Sequence, residues 1–209
     1  MYLTVSPPLG KVRISAPIKA KDEVIKQFAC SKLVWIRKQL LKIERQQRPS
    51  EREYETGESH YLWGEIYQLE IEYAGKANKV ELDADKIILT VRESSTREQR
   101  AKLMNEWYRA ELKAMLPALF EKWEKIIGVN SNEICVKNMH TRWGTCNVRD
   151  KRIWINLQLA KRPYSCLEYV VVHELVHLLE KNHSAAFWSH VDRLLPDWHA
   201  TREELRKCQ

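Results

Sequence analysis

Close to its C-terminal end the chain reads PYSCLEYVVVHELVHLLEKNH, Pro163 to His183, and no other stretch limits the fold so tightly. Pro163 stops whatever precedes it, and Ser165 with Glu168 three residues later reads as a capping box opening a new helix. From there YVVVHELVHLL predicts one helix running to about Leu179. Val171, Leu175 and Leu178 fall at i, i+4 and i+7 and form a face that must be buried. His173 and His177 are also i and i+4, so two imidazoles leave one side of the helix about a turn apart. That separation suits two ligands of one tetrahedral metal ion. Glu174 follows the first histidine, its carboxylate beside the metal but offset around the helix, where it can take a proton from metal-bound water.

Zinc in a catalytic site takes three protein ligands and leaves its fourth position to water. His183 lies six residues after His177, the spacing of the pattern HExxHxxGxxH. Where that pattern has glycine this chain has Glu180, and no methionine follows Met139 to form the Met-turn that accompanies it. Asn182 tolerates left-handed backbone and offers a way to turn the chain back. Asp192, Glu203 and Glu204 are rival third ligands, but His183 is the nearest suitable donor and the expected one. His190 and His199 read as structural or exposed, His60 and His140 carry no ligand spacing, and Glu180 should face solvent.

The remainder of the chain predicts small sheets and one long helix. YLTVS and KVRISA alternate as strands do around Pro7-Pro8-Leu9-Gly10. A helix over Asp22 to Gln47 presents Leu33, Ile36, Leu40 and Ile43 on one face and Lys38, Lys42 and Arg45 on another. After a polar loop, RPSEREYETGES, two strands flank Gly64 and a hairpin turns at Asp83-Ala84-Asp85-Lys86. Thr96 with Gln99 caps a long helix striped by Leu103, Trp107, Ala110 and Ala114, with a kink expected at Pro117 and a stop at Gly128. NEICVKNMHTRWGTC and RIWINLQL are strand-like around Val148 to Lys151. This organisation is α+β, with a β-rich N-terminal unit over residues 1–93 carrying one basic helix and a catalytic domain over residues 94–209.

No apolar run approaches the ~20 residues needed to span a bilayer, and the start lacks the pattern of a signal peptide. Five scattered cysteines with no CxxC pair argue against a disulfide framework and for a reducing compartment, which makes a cytoplasmic protein the expectation. The formal charge of +7 is uneven: residues 11–48 hold eleven Lys/Arg against three Asp/Glu, so that arm could attract nucleic acid, while the rest is near neutral.

RWGTC at Arg142 to Cys146, INLQL at Ile155 to Leu159, the HExxH stretch through Trp188, and PDW at Pro196 to Trp198 resemble the YgjP-like metallohydrolase family. A strand pair, a helix with Trp35, the LWG turn and NEWYRAEL on the long helix agree with it, so the resemblance covers nearly the whole chain. Thr145 stands where the family commonly has serine. The resemblance implies a zincin-like catalytic domain, with the HExxH helix beside a small mixed or antiparallel sheet. It also supports His183 as third ligand, since the related SprT-like proteases use a histidine in a similar setting, matched here by His183 and Phe187.

What it implies about activity divides. The family is usually classed with metallopeptidases, yet some members are described as UTP pyrophosphatases. For peptide hydrolysis with Zn2+, Glu174 is the catalytic base, RWGTC or IWINL an edge strand for the substrate, and Arg142 or Asn156 an oxyanion donor. For nucleotide hydrolysis, Arg142, Arg149, Lys151 and Arg152 are the candidate phosphate contacts, although no glycine-rich phosphate loop is present. A nucleic-acid-associated, SprT-like protease using residues 11–48 is a further alternative. Trp143 and Trp154 read as sheet packing, and no membrane partner is expected.

Overall fold

A computed structural model describes residues 1–6, 10–45, 52–74 and 78–207. The turn at Pro7-Pro8-Leu9, the helix end at Gln47, the first residues of the polar loop and Cys208 lie outside them. The chain forms two compact units, Met1–Arg52 and Glu53–Gln209.

In the first unit β1 (Tyr2–Ser6) pairs antiparallel with β2 (Lys11–Ser15), Tyr2 opposite Ser15. The single basic helix expected here is two, α1 (Asp22–Ser31) and α2 (Leu33–Arg45), with the break at Lys32. Lys32 ends α1 with its N–H turned back to the carbonyls of Ala29 and Cys30.

The second unit holds two sheets around one core. β3 (Ser59–Leu62) and β4 (Glu65–Tyr73) form a hairpin, while β5 (Lys79–Asp83) and β6 (Lys86–Val91) form another. A parallel β4–β6 pairing joins them in the order β3-β4-β6-β5. The tight turns match the sequence: Trp63 and Gly64 both take positive φ, as does Ala84. α3 (Arg97–Ile127) opens with the Thr96–Gln99 capping box, runs unbroken through Pro117 and stops at Gly128 in the left-handed conformation.

The buried stripe of α3 is Met104, Tyr108, Leu112, Leu116 and Phe120, one to two residues on from the expected one; Leu103 and Trp107 are half-buried against the same core, and Ala110 and Ala114 are exposed. The large side chains decide the rotation, because each removes far more apolar area from water than an alanine does. Leu62, Leu69, Ile87, Leu89 and Val91 of the first sheet share a core with this stripe and with the helix of the HExxH motif. That shared core is why the division falls at Arg52/Glu53 and not at 93/94: the β-rich segment 53–93 has no separate interior.

The second sheet is mixed and three-stranded. β7 (Glu133–Lys137) pairs parallel with β9 (Arg152–Asn156), and β8 (Gly144–Asn147) pairs antiparallel with β9 on its other side. β8 is therefore an edge and β9 is central. LQLAK, Leu157 to Lys161, leaves the strand as a 3-10 turn, with Asn156 accepting from the Gln158 N–H. α4 (Tyr164–Val176) packs on β8 and β9, and α5 (Ala185–Leu194) and α6 (Trp198–Lys207) pack on α4. Among the described residues no helix is long and apolar enough to cross a membrane.

Candidate metal centre

α4 is buried along most of its length, with Val171 and Leu175 wholly inside, and this fixes which side remains for the histidines. Its start differs from the expected capping box. Pro163 is the N-cap and makes no side-chain cap bond, and Glu168 instead accepts from Lys122 Nζ (2.7 Å) and Trp123 Nε1 (3.0 Å) of α3. A tertiary ion pair has outcompeted the local cap. The helix closes at Val176, three residues early, and residues 177–179 follow as a turn. His177 keeps right-handed helical dihedrals (φ −62°, ψ −19°), so the i, i+4 relation to His173 is kept.

The chain then reverses without left-handed backbone at Asn182, whose φ is not positive. The Ser184 N–H donates to the Asn182 carbonyl (2.7 Å), and the Ser184 hydroxyl accepts from the Phe187 N–H as N-cap of α5. This brings His183 back over α4. One nitrogen from each of His173, His177 and His183 lies within 4.8 Å of the others. His173 Nε2 and His183 Nε2 face each other at 2.9 Å, and His177 Nδ1 is held by the Glu180 carbonyl at 3.1 Å, leaving its Nε2 lone pair free. Glu180 is half-buried, its carboxylate accepting from the Ser184 hydroxyl.

Phe187 is buried beneath the three rings, 4.7–4.9 Å from each centroid. Trp188 stacks on His183 (5.5 Å, 20°), Trp198 on Trp188 (4.7 Å, 13°), and Tyr169 on Trp198 (5.8 Å, 3°). Of the rival ligands, Asp192 accepts from Trp198 Nε1 at 2.6 Å and Glu203 pairs with Arg206. Neither these nor Glu204 joins a metal-ligating group among the described residues. His60 is buried beside Tyr54, His190 contacts Arg193, His199 stacks on Trp198, and His140 is exposed; none approaches the three histidines as a ligand.

Glu174 is 5% exposed and faces Gly144 of β8. A β-carbon on Gly144 would lie 2.6 Å from Glu174 Oε1, so this glycine is what lets the carboxylate lie against the strand. Burial pushes the Glu174 carboxyl up to about 8, opposed by the Arg142 guanidinium. Burial, with the mutual proximity of the rings and Arg202, pushes His173 down to about 3, and lowers His183 as well. His177 is also lowered, chiefly by burial. Three imidazoles that burial holds toward the neutral form, each with one nitrogen within 4.8 Å of the others, form the donor set a metal ion needs.

A cleft of about 1200 Å³ opens over these residues, lined along one wall by Arg142 to Arg149 and including Tyr169, Lys181 and Arg202. Arg142 lies on it as expected, exposed and beside Glu174. Asn156 does not. It is 3% exposed, its Nδ2 donates to the carbonyls of Met139 (2.9 Å) and Arg142 (2.7 Å), and its Oδ1 accepts from the Met139 and Gln158 N–H groups. With both amide protons committed, Asn156 has none for an oxyanion; it pins the 139–142 loop that carries Arg142. Of the expected phosphate contacts, Arg149 lines the cleft, whereas Arg152 pairs with Glu133 and lies over Trp154, and Lys151 occupies the β8–β9 turn with positive φ. Trp143 lines the cleft with Nε1 donating to the Leu205 carbonyl (3.2 Å).

A model of the YgjP-like, metallopeptidase domain family matches residues 1–208. The chain belongs to this family. No curated protein matches it. Among solved structures, the metallopeptidase zymogen abylysin of Pyrococcus abyssi is 22% identical with a TM-score of 0.39, over 44% of this chain and 90% of that one. The metallopeptidase zymogen jannalysin of Methanocaldococcus jannaschii is 20% identical with a TM-score of 0.38, over 44% of this chain and 86% of that one. A metallopeptidase family implies a metal ion, and the three neutral imidazoles fit one.

Gly144 and Tyr169 were missed by reading sequence. Tyr169 stands at i−4 from His173 and so faces the same cleft, a relation that the helical period of α4 carries. Gly144 gave no such signal, because its partner lies 30 residues away on another element.

Proposed function

We propose that the protein is a zinc-dependent peptidase with Glu174 as general base and His173, His177 and His183 as the zinc ligands. The observation that carries this is the convergence of three imidazole nitrogens within 4.8 Å at the floor of an open cleft, beside a buried carboxylate. Zinc supplies Lewis acidity toward a carbonyl oxygen and makes water more acidic. The choice of zinc follows from an all-imidazole donor set of three.

Glu174 takes a proton from water as the water oxygen attacks the scissile carbonyl carbon. The same carboxyl then passes that proton to the amide nitrogen as the carbon–nitrogen bond breaks. Burial raises the Glu174 carboxyl, which makes its ionised form a stronger base for the first half of that shuttle and lets it hold the proton until the second. Arg142, exposed on the cleft wall, and Tyr169, whose phenol burial pushes up to about 12 and so keeps its proton, are the donors at hand for the developing oxyanion. β8 is an edge strand lining the cleft, and its unpaired side can hold an extended peptide by strand addition.

The test is purified, metal-analysed protein incubated with unfolded casein and mixed peptides and, in parallel, with UTP. The expected result is peptide cleavage that Glu174→Gln abolishes while zinc stays bound. Full activity in that variant defeats the mechanism. Diphosphate release from UTP without peptide cleavage would move the chemistry from carbon to phosphorus.

A further inference from the structure

Residues 53–209 carry 23 Lys/Arg against 24 Asp/Glu, so the second unit as a whole has almost no net charge. Its cleft departs from that balance. Arg142, Arg149, Lys181, Arg202 and Arg206 line it, and the sole carboxylate residue among the lining is Glu174. Arg206 is paired with Glu203, but Arg142, Arg149, Lys181 and Arg202 are exposed and make no ion pair among the described residues. Arg202 is held in place: its guanidinium lies over the rings of Trp188 (4.8 Å) and Trp198 (5.4 Å), the stack that continues to His183.

We propose that the cleft selects extended peptides bearing carboxylates on both sides of the bond to be cut. This rests on the peptidase reading above. The cations are distributed as a strand-like ligand needs. Arg142 and Arg149 flank the two ends of edge strand β8, while Lys181 and Arg202 come from other elements of the cleft lining. A peptide paired to β8 advances about 3.3 Å per residue, which places side chains on either side of its centre beside separate cations. A polyphosphate asks for donors converging on one point, often from a glycine-rich loop, and β8 with its flanks contains the lone glycine Gly144. Exposed charge pairs each contribute about two- to fivefold in affinity, so two or three together give roughly tenfold selectivity.

Binding is measured by fluorescence anisotropy with zinc-loaded Glu174→Gln protein and three labelled peptides of one length, carrying Asp, Asn or Lys on both flanks. The Asp peptide is expected to bind about tenfold tighter than the Asn peptide at low salt, the Lys peptide more weakly than either, with the differences shrinking as salt rises. In the Arg149→Gln, Lys181→Gln double variant the Asp-to-Asn ratio should fall toward one; both side chains are exposed, so the fold tolerates the change. Equal binding of the three peptides, or a Lys preference, overturns the proposal while leaving the peptidase reading intact if the unaltered protein cleaves them. Inorganic tripolyphosphate displacing the Asp peptide at concentrations far below those of the peptide itself overturns it in favour of a phosphate ligand. No cleavage of any peptide by the unaltered protein removes the peptidase reading and this inference with it.

Discussion

Replacing Gly144 by alanine adds one methyl group where the structure has no room for it. The new β-carbon would lie 2.6 Å from Glu174 Oε1, 2.7 Å from Cγ and 2.9 Å from Cδ, whereas ordinary contacts begin near 3.4 Å. Glu174 is 5% exposed and cannot swing into solvent freely, so relief requires a shift of its carboxylate by close to an ångström. Misplacement by about 1 Å costs on the order of a hundredfold in rate, and overpacking of this kind costs about 1–3 kcal/mol of stability. The clash does not involve the three histidines, so zinc stoichiometry should be unchanged. The assay is kcat and KM on one cleavable peptide, with metal content and a melting curve on the same sample. The expected result is kcat down about a hundredfold with zinc retained, and no further loss when Gly144→Ala is added to Glu174→Gln. An alanine variant with full kcat would show that the position of the carboxylate against β8 does not set the rate. A variant that loses zinc would show that β8 supports the ligands, not the base.

Other outcomes follow from the same geometry. His183→Ala should lower bound zinc well below one per chain by metal analysis; undiminished zinc would mean a ligand from elsewhere, against the commitments of Asp192 to Trp198 and Glu203 to Arg206. Asn156→Ala strips four hydrogen bonds from a buried site and should cost about 1–3 kcal/mol in a denaturant melt, with a raised KM as Arg142 loosens; unchanged stability would refute its role as the pin of the 139–142 loop. In zinc-free protein, the depressed His173 means that stability is lost as pH falls from about 6.5 toward about 3, because only the unfolded chain takes up that proton; the raised Glu174 means that stability is lost as pH rises from about 4.5 to about 8. The melting temperature should therefore be level near pH 5–6 and fall on both sides, and Glu174→Gln should erase the alkaline decline; a decline that persists in the variant assigns it to another group.

The parts of this molecule that could be read from sequence are those whose determinants are local. HExxH is such a part, since i, i+4 on any helix puts His173 and His177 on one side whatever surrounds them. The Thr96–Gln99 box, Gly128 and the turns at Gly64 and Asp83–Lys86 are equally local, and each was met. The misses share the opposite property. Ser165 and Glu168 carry the letters of a cap, but Lys122 and Trp123, more than 40 residues away, take the glutamate. The stripe of α3 is rotated by one to two residues from the expected one because two sheets and α4, not the helix alone, decide which face is inside. Asn156 reads as a donor to substrate from its place on IWINL, a candidate edge strand, whereas its four hydrogen bonds to residues 139, 142 and 158 arise only in the folded chain.

The fold adds what HExxH leaves open. The motif fixes two ligands and a base on one helix; where the base points depends on what lies behind it. Here that is an edge strand, which presents a glycine to the carboxylate and an unpaired edge to the cleft. In the proposed mechanism one short strand sets both the position of the proton acceptor and the line along which a substrate lies. Substitutions on β8 and at its flanks should therefore divide by where they lie. Changes at Gly144, against Glu174, should act on kcat. Changes at Arg149, at the far end of the strand, should act on which peptide binds. A single substitution at Arg149 that lowers kcat for every peptide alike, without altering their ranking, would break that division and place the arginine in the chemistry itself.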